Sequence, residues 1–217
     1  MQKYKFKIFV LIIIICSVTI LISACTSSSN LVKDASFKEP MPIVILPFEN
    51  LSLDLPAGEL MRLFFYIGLK EKGYEVKDIT ETDSLLNLLG ITDGGQLNSV
   101  NDDQLQEKLD SKAFLYGKLI EATYSTIGIK KTKKVTCSIR IVADGKEIWN
   151  DQESHNESGY GNLLNPVGSL MQQVVDKQFE KMFSAYAGHP LEEILEVVAY
   201  KIQDKMPGKR KEKSGWN

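Results

Sequence analysis

Between Ile129 and Val142 the chain alternates: Val135, Cys137, Ile139 and Ile141 are apolar, while Thr136, Ser138 and Arg140 are polar. Side chains of extended backbone point alternately to opposite faces, so this period of two fits a strand buried on one face and wet on the other. Asp144-Gly145 follows, a pair suited to the left-handed backbone of a tight hairpin. Lys146 to Asp151 then returns as a second antiparallel strand with Trp149 as its large apolar residue. A half-buried antiparallel hairpin therefore has to be part of the fold.

Upstream, Ile43-Val44-Ile45-Leu46 is a continuous apolar run ending at Pro47, suited to a strand covered on both faces. Phe48 to Ser52 reads as a loop. Asp54 and Pro56 are helix-start residues, and Leu60, Phe64, Ile67 and Gly68 share one side of the helix they open. Met61 and Phe65 widen that stripe, which predicts a helix sandwiched between a sheet and a neighbour. Gly73 ends it, and Tyr74-Glu75-Val76 is expected as a short strand, giving a right-handed βαβ unit. Two short helices follow, about Glu81 to Leu89 and from Asn101 through Leu105 and Leu109, separated by a turn at Thr92-Asp93-Gly94-Gly95. Ala113 to Glu121 is the third strand. A glycine-rich loop, Gly159-Tyr160-Gly161 and Asn165 to Gly168, precedes a helix carrying Leu170, Met171, Val174, Val175, Phe179, Met182 and Phe183. A last helix begins near Pro190, with Leu191, Ile194, Leu195, Val198 and Ile202 at helical spacing. The class is α/β: a mixed β-sheet of about five strands flanked by helices.

The N-terminus says where this domain works. Lys3, Lys5 and Lys7 precede a nearly unbroken apolar run from Ile8 to Ile22. A basic start, a short apolar core and small residues at its end form a secretory signal. The run is shorter than the roughly 20 residues of a membrane-spanning helix. Ile22-Ser23-Ala24-Cys25 resembles the lipobox of bacterial lipoproteins, which implies cleavage before Cys25, acylation of its thiol and anchoring by at least two buried chains. By resemblance to known sorting signals, in which Asp after the cysteine implies inner-membrane retention, Thr26 implies the outer membrane of a two-membrane cell, on its periplasmic side. The expected divisions are a signal peptide at 1–24, a flexible Ser-rich tether at 25–39, the α/β domain at 40–187, and a C-terminal amphipathic helix with a basic tail at 188–217.

Composition excludes some partners. The first 24 residues hold three lysines and no acid, so removing them leaves 23 basic and 28 acidic side chains, a net charge of −5. That balance disfavours nucleic acid. With Cys16 lost and Cys25 acylated, Cys137 is the one remaining thiol, and no disulfide can close within the mature chain. Its place among alternating apolar residues marks it as a small core residue.

Several short segments, in order, resemble a family of small bacterial lipoproteins of unassigned function, of the genome-derived vaccine antigen type and associated with transport. They are Val44 to Ser52, Gly73-Tyr74-Glu75-Val76, Leu89 to Asp93, Asp110 to Tyr124 with its Ala-Phe-Leu-Tyr-Gly, and Gly145 to Trp149. The resemblance covers about residues 41 to 175. It implies a fold like the N-terminal domain of the Tol-system translocation protein, shared with curli-channel lipoproteins and with lipoproteins that activate penicillin-binding proteins. It also implies a non-catalytic binding module, an accessory in secretion, transport or surface assembly. Its expected partners are the membrane, through lipid on Cys25, and envelope proteins such as a curli-channel-like lipoprotein or a second copy of itself. Activation of a peptidoglycan synthase is the alternative within that class.

Motifs for chemistry are sparse, and neither an enzymatic activity nor a cofactor is expected. Gly90 to Gly95 lacks the Gly-Lys-Ser/Thr ending of a phosphate-cradling loop. The one constellation that could hold a divalent metal is Glu153, His155 and Glu157, which would share a face if the last strand ran that far. Asn156, Ser158 and Gly159 predict that this strand frays first. His189 reads as a loop residue. Lys130, Lys131, Lys133 and Lys134 crowd a hairpin, where lysines guard strand edges.

Overall fold

The computed structural model describes residues 42–160 and 177–207. The signal peptide, Cys25, the tether, the bulk of the glycine-rich loop and the basic tail from Lys209 lie outside the described residues. Five strands form one mixed sheet: β1 (Ile43–Ile45), β2 (Glu49–Asn50), β3 (Ala113–Ile127), β4 (Lys130–Ala143) and β5 (Lys146–Tyr160). Across the sheet the order is β1-β3-β4-β5, with β2 following β1 along the same edge of β3. β1 and β2 run parallel to β3, and β3, β4 and β5 form an antiparallel meander.

Local chemistry sets the boundaries. Helix α1 (Leu55–Lys72) opens where the Asp54 carboxylate accepts from the Ala57 amide, and closes at Gly73, whose φ of 93° favours a residue without Cβ. Helix α2 (Ile79–Asn87) is capped by Asp78; helix α3 (Asp102–Leu109) starts in a capping box formed by Asn101 and Gln104. Between them a 3₁₀ helix (Gly94–Ser99) is capped by Asp93. Asp144 and Gly145 both take positive φ, 50° and 71°, as a two-residue hairpin turn requires.

The sheet is covered on one side by α1 and by the last helix, α5 (Glu192–Lys205), with α4 (Lys177–Ser184) beside them. Ile43, Ile45, Leu115, Leu119, Val135, Cys137, Ile139, Ile141 and Trp149 meet Leu60, Phe64, Leu195, Val198 and Ile202 there. The alternation from Val135 to Ile141 thus points where its period predicts. Helix α1 is buried nearly all round, sandwiched as its wide stripe predicts. On the opposite side, Val44, Leu46 and Phe114 pack against Leu86, Ile91, Leu97, Leu105 and Leu109.

Helix α5 is fixed at close range. A Cβ on Gly68 would collide with the side-chain amide of Gln203, which donates to the Phe64 carbonyl at 2.9 Å. The buried Lys72 ammonium donates to the carbonyls of Gln203 and Met206, capping the helix end. Arg62, also buried, donates to the Ile45 carbonyl and forks onto Asp83, tying α1, β1 and α2 together.

Four expectations need correction. Glu49–Asn50 is not loop but β2, pairing with Lys118–Leu119. Tyr74 to Val76 forms a single parallel bridge, Val76 to Ile43, instead of a strand. β3 continues past Glu121 to Ile127, after a register shift between Leu119 and Glu121. β5 does not fray at Asn156; it pairs with β4 through Tyr160, opposite Lys130.

Candidate docking surface

The first candidate constellation is accounted for by packing. Because β5 runs on, Glu153, His155 and Glu157 do share a face, and that face meets α5. Lys205 bonds Glu153 and lies 3.1 Å from Asp151; hydrogen bonding to Glu153, opposed by partial burial and aided by Asp151, raises its pKa. His155 sits between Glu157 at 3.2 Å and the Lys201 ammonium at 3.1 Å. Two ammonium groups stand where a cation would bind: Glu153 and His155 anchor the last helix, and Glu157 is held on His155. Among the described residues no group of three His, Cys, Asp or Glu side chains converges for a metal. His189 also does more than fill a loop: Nε2 faces Asp54 at 3.0 Å while Nδ1 accepts from the Leu191 amide, linking the starts of α1 and α5. Cys137 is fully buried, and burial pushes its thiol pKa far up, away from nucleophilic thiolate.

A polar hollow of about 340 Å³ lies beside the 3₁₀ helix, with Tyr116, Lys118, Ser138 and Arg140 in its wall. Its charges are matched internally: Lys118 pairs with Glu49 at 2.7 Å, and the Arg140 guanidinium lies 3.9 Å over the Tyr116 ring. Burial, with Asp102 adding, raises the Tyr116 pKa against the effect of Arg140, so the phenol stays protonated.

The larger feature is an apolar groove of about 750 Å³ between the start of α1 and β3. One wall is Leu51 to Pro56, the other Ile120 to Tyr124, and Pro190 lies in the lining. Leu51, Leu53 and Leu55 are 57%, 101% and 79% exposed, held outward by a tight local structure. Asn50 accepts from the Ser52 amide and hydroxyl and donates to the Asp54 carbonyl, and Asp54 caps α1. The leucines on alternate positions are thereby turned to water. Farther along β3, Tyr124 is exposed, and Ile127 and Ile129 project from the β3–β4 turn. Five of the ten large apolar side chains exposed among the described residues line this groove: Leu51, Leu53, Leu55, Ile120 and Tyr124. Exposed leucines scattered singly are ordinary; several exposed apolar side chains lining one groove mark an interaction surface.

The backbone beside the groove is also open. β1 pairs with Ala113 to Leu115 and β2 with Lys118 and Leu119, after which the Leu51 amide donates to the Leu119 carbonyl. From Ile120 to Ile127 that edge of β3 has no strand beside it among the described residues.

Comparison with known proteins identifies the group. The family model "Putative lipoprotein GNA1162-like" matches residues 33–199. The chain belongs to the GNA1162-like lipoprotein family. It is 25% identical over 146 residues to "Putative lipoprotein NMB1124/NMB1162" of Neisseria meningitidis serogroup B, covering 65% of this chain and 68% of that one. The crystal structure of lipoprotein GNA1162 from Neisseria meningitidis superposes with a TM-score of 0.53 at 23% identity, over 67% of this chain and 94% of that one. This is the same fold, a mixed five-stranded sheet with flanking helices. A more distant likeness, TM-score 0.44 at 10% identity over 76% of this chain and 86% of the other, is to PelC of Paraburkholderia phytofirmans, a dodecamer. Membership in the GNA1162-like family makes this chain an envelope lipoprotein, held by lipid. The sequence did not single out the groove, although Leu51, Leu53 and Leu55 at every second position were its visible trace.

Proposed function

We propose that this GNA1162-like lipoprotein is a non-catalytic accessory of the cell envelope: acylated on Cys25, held at the periplasmic side of the outer membrane, and docking a protein partner through the groove between Leu51–Pro56 and Ile120–Tyr124. The observation that carries this reading is the concentration of exposed leucine, isoleucine and tyrosine along one groove. Leaving such an area wet costs roughly 25 cal/mol per Å² relative to covering it. Glu153 and His155, of the constellation that could have held a metal, are instead bonded to lysines of α5. Secretion, transport or surface assembly is the setting that the family resemblance suggests.

The test has two arms. Metabolic labelling with a palmitate analogue should mark the wild-type chain and fail on Cys25→Ser. Crosslinking of the lipidated protein in its native membrane, followed by mass spectrometry, should recover an envelope protein through residues of the groove. A curli-channel-like lipoprotein would place the chain in secretion, a penicillin-binding protein would move it to synthase activation, and self-crosslinks alone would make the partner a second copy. Crosslinks falling only on α2 and α3 would overturn the groove as the docking surface.

A further inference from the structure

Resting on that reading, we infer that the partner enters the groove as an extended strand. It adds to the open edge of β3 from Ile120 to Ile127, with apolar side chains at alternate positions and acidic residues at the end nearest Lys130 and Lys131. Three observations combine. First, the edge continues the line already occupied by β1 and β2, so an added segment would take the next places along a ladder the fold has begun. Eight residues of strand span about 26 Å, enough for main-chain pairing to register one partner segment.

Second, past the register shift at Leu119–Glu121 the edge carries neither charge nor proline, two of the devices that keep exposed strands apart. From Ala122 to Ile127 the sequence is Ala-Thr-Tyr-Ser-Thr-Ile, with no charge and no proline. Glu121, the one charge from Leu119 to Ile127, is paired with Lys134 at 2.7 Å. The remaining acid of the groove, Asp54, faces His189 and caps α1. The groove therefore presents no free charge, and its complement is an uncharged, apolar side-chain row fitting between Leu53, Leu55, Ile120 and Tyr124.

Third, the charge changes at one end. Lys133 faces Glu193 and Lys134 faces Glu121, but Lys130 and Lys131, at the hairpin end beyond Ile127, have no acidic partner among the described residues. They stand across β3 from the open edge, opposite Ile127 and Thr126, so an added segment comes within reach of their long side chains at one terminus only. Acid there gives complementarity and fixes direction.

The probe is a set of capped octapeptides with valine at alternate positions and threonine between, carrying Asp-Asp or Lys-Lys at the N- or C-terminus, added to the intact lipidated protein in nanodiscs. Hydrogen exchange should slow at the amides between Ile120 and Ile127. One of the two Asp-Asp peptides should bind about tenfold tighter than its Lys-Lys counterpart, and high salt should erase the difference. The terminus that works reads whether addition is parallel or antiparallel. Leu53→Asp with Leu55→Asp, both fully or largely exposed and so free of folding cost, should weaken binding at least about tenfold. Leu88→Asp, on α2's end, should leave it unchanged. Slowed exchange elsewhere, or no binding by any peptide at millimolar concentration, overturns strand addition. A native partner that crosslinks through Leu53 while the β3 amides of that complex exchange freely would overturn the strand and leave the docking reading standing.

Discussion

Substituting Gly68 should change stability in a direction set by one other residue, Gln203. In isolation Gly→Ala in a helix interior stabilises by roughly 0.5–1 kcal/mol, through lower backbone entropy in the unfolded chain. In this fold the new methyl would occupy the volume of the Gln203 side-chain amide, which is 2% exposed and bonded to the Phe64 carbonyl. Either the amide leaves and stays buried without its partner, costing about 1–3 kcal/mol, or α5 moves off α1 and strains a core that includes Ile194, Val198 and Ile202, at a similar cost. Gly68→Ala should therefore destabilise by about 1–2 kcal/mol net. In a Gln203→Ala background the collision is gone, and the same substitution should stabilise by a few tenths to about 1 kcal/mol. Urea denaturation of the four proteins of this cycle gives the coupling directly. An equal effect of Gly68→Ala in both backgrounds would refute the close approach of α1 and α5.

Other substitutions follow from the same packing. Arg62→Met keeps the stem but removes every donor to the Ile45 carbonyl and Asp83; a loss of about 2 kcal/mol in denaturant is expected, with unchanged m-value. Burial holds the Glu59 carboxyl above its ordinary value, against the pull of Arg62 and with Asp83 adding, so the folded state binds its proton more tightly than the unfolded chain. Wild type should accordingly lose stability relative to Glu59→Gln as pH rises above about 4.5, by a modest amount because the side chain is half exposed; parallel stability–pH curves would contradict this. Cys137 should resist thiol reagents in the native protein and react at the rate of global unfolding; fast labelling would contradict its burial.

Sequence reasoning succeeded where the controlling chemistry is local. The hairpin between β4 and β5 follows from Asp144-Gly145 and the flanking alternation, and α1 and α3 begin at the residues whose side chains cap them, Asp54 and Asn101. It failed where partners distant in the chain decide. β2 exists only because Glu49 and Asn50 meet Lys118 and Leu119, nearly 70 residues away. Gly117 has room for no side chain because the Phe48 ring lies against it, a contact no local pattern announces. The outer half of β3 carries no burial signal, since Thr123 to Ile127 are exposed. β5 persists past Asn156 because β4 runs beside it and pairs with it from Lys134 to Lys130, partners that no local pattern in β5 announces. The groove was hidden for a related reason: a leucine facing water and a leucine facing the core read alike until the fold turns one of them outward.

The most direct test of the docking account is site-resolved photocrosslinking in living cells. A photoreactive amino acid is placed singly at Leu53, at Tyr124 and, as a control of similar exposure on the other side, at Leu88. The account predicts the same protein adduct from Leu53 and Tyr124 and none from Leu88. Equal capture from all three positions, or capture from Leu88 alone, would contradict it.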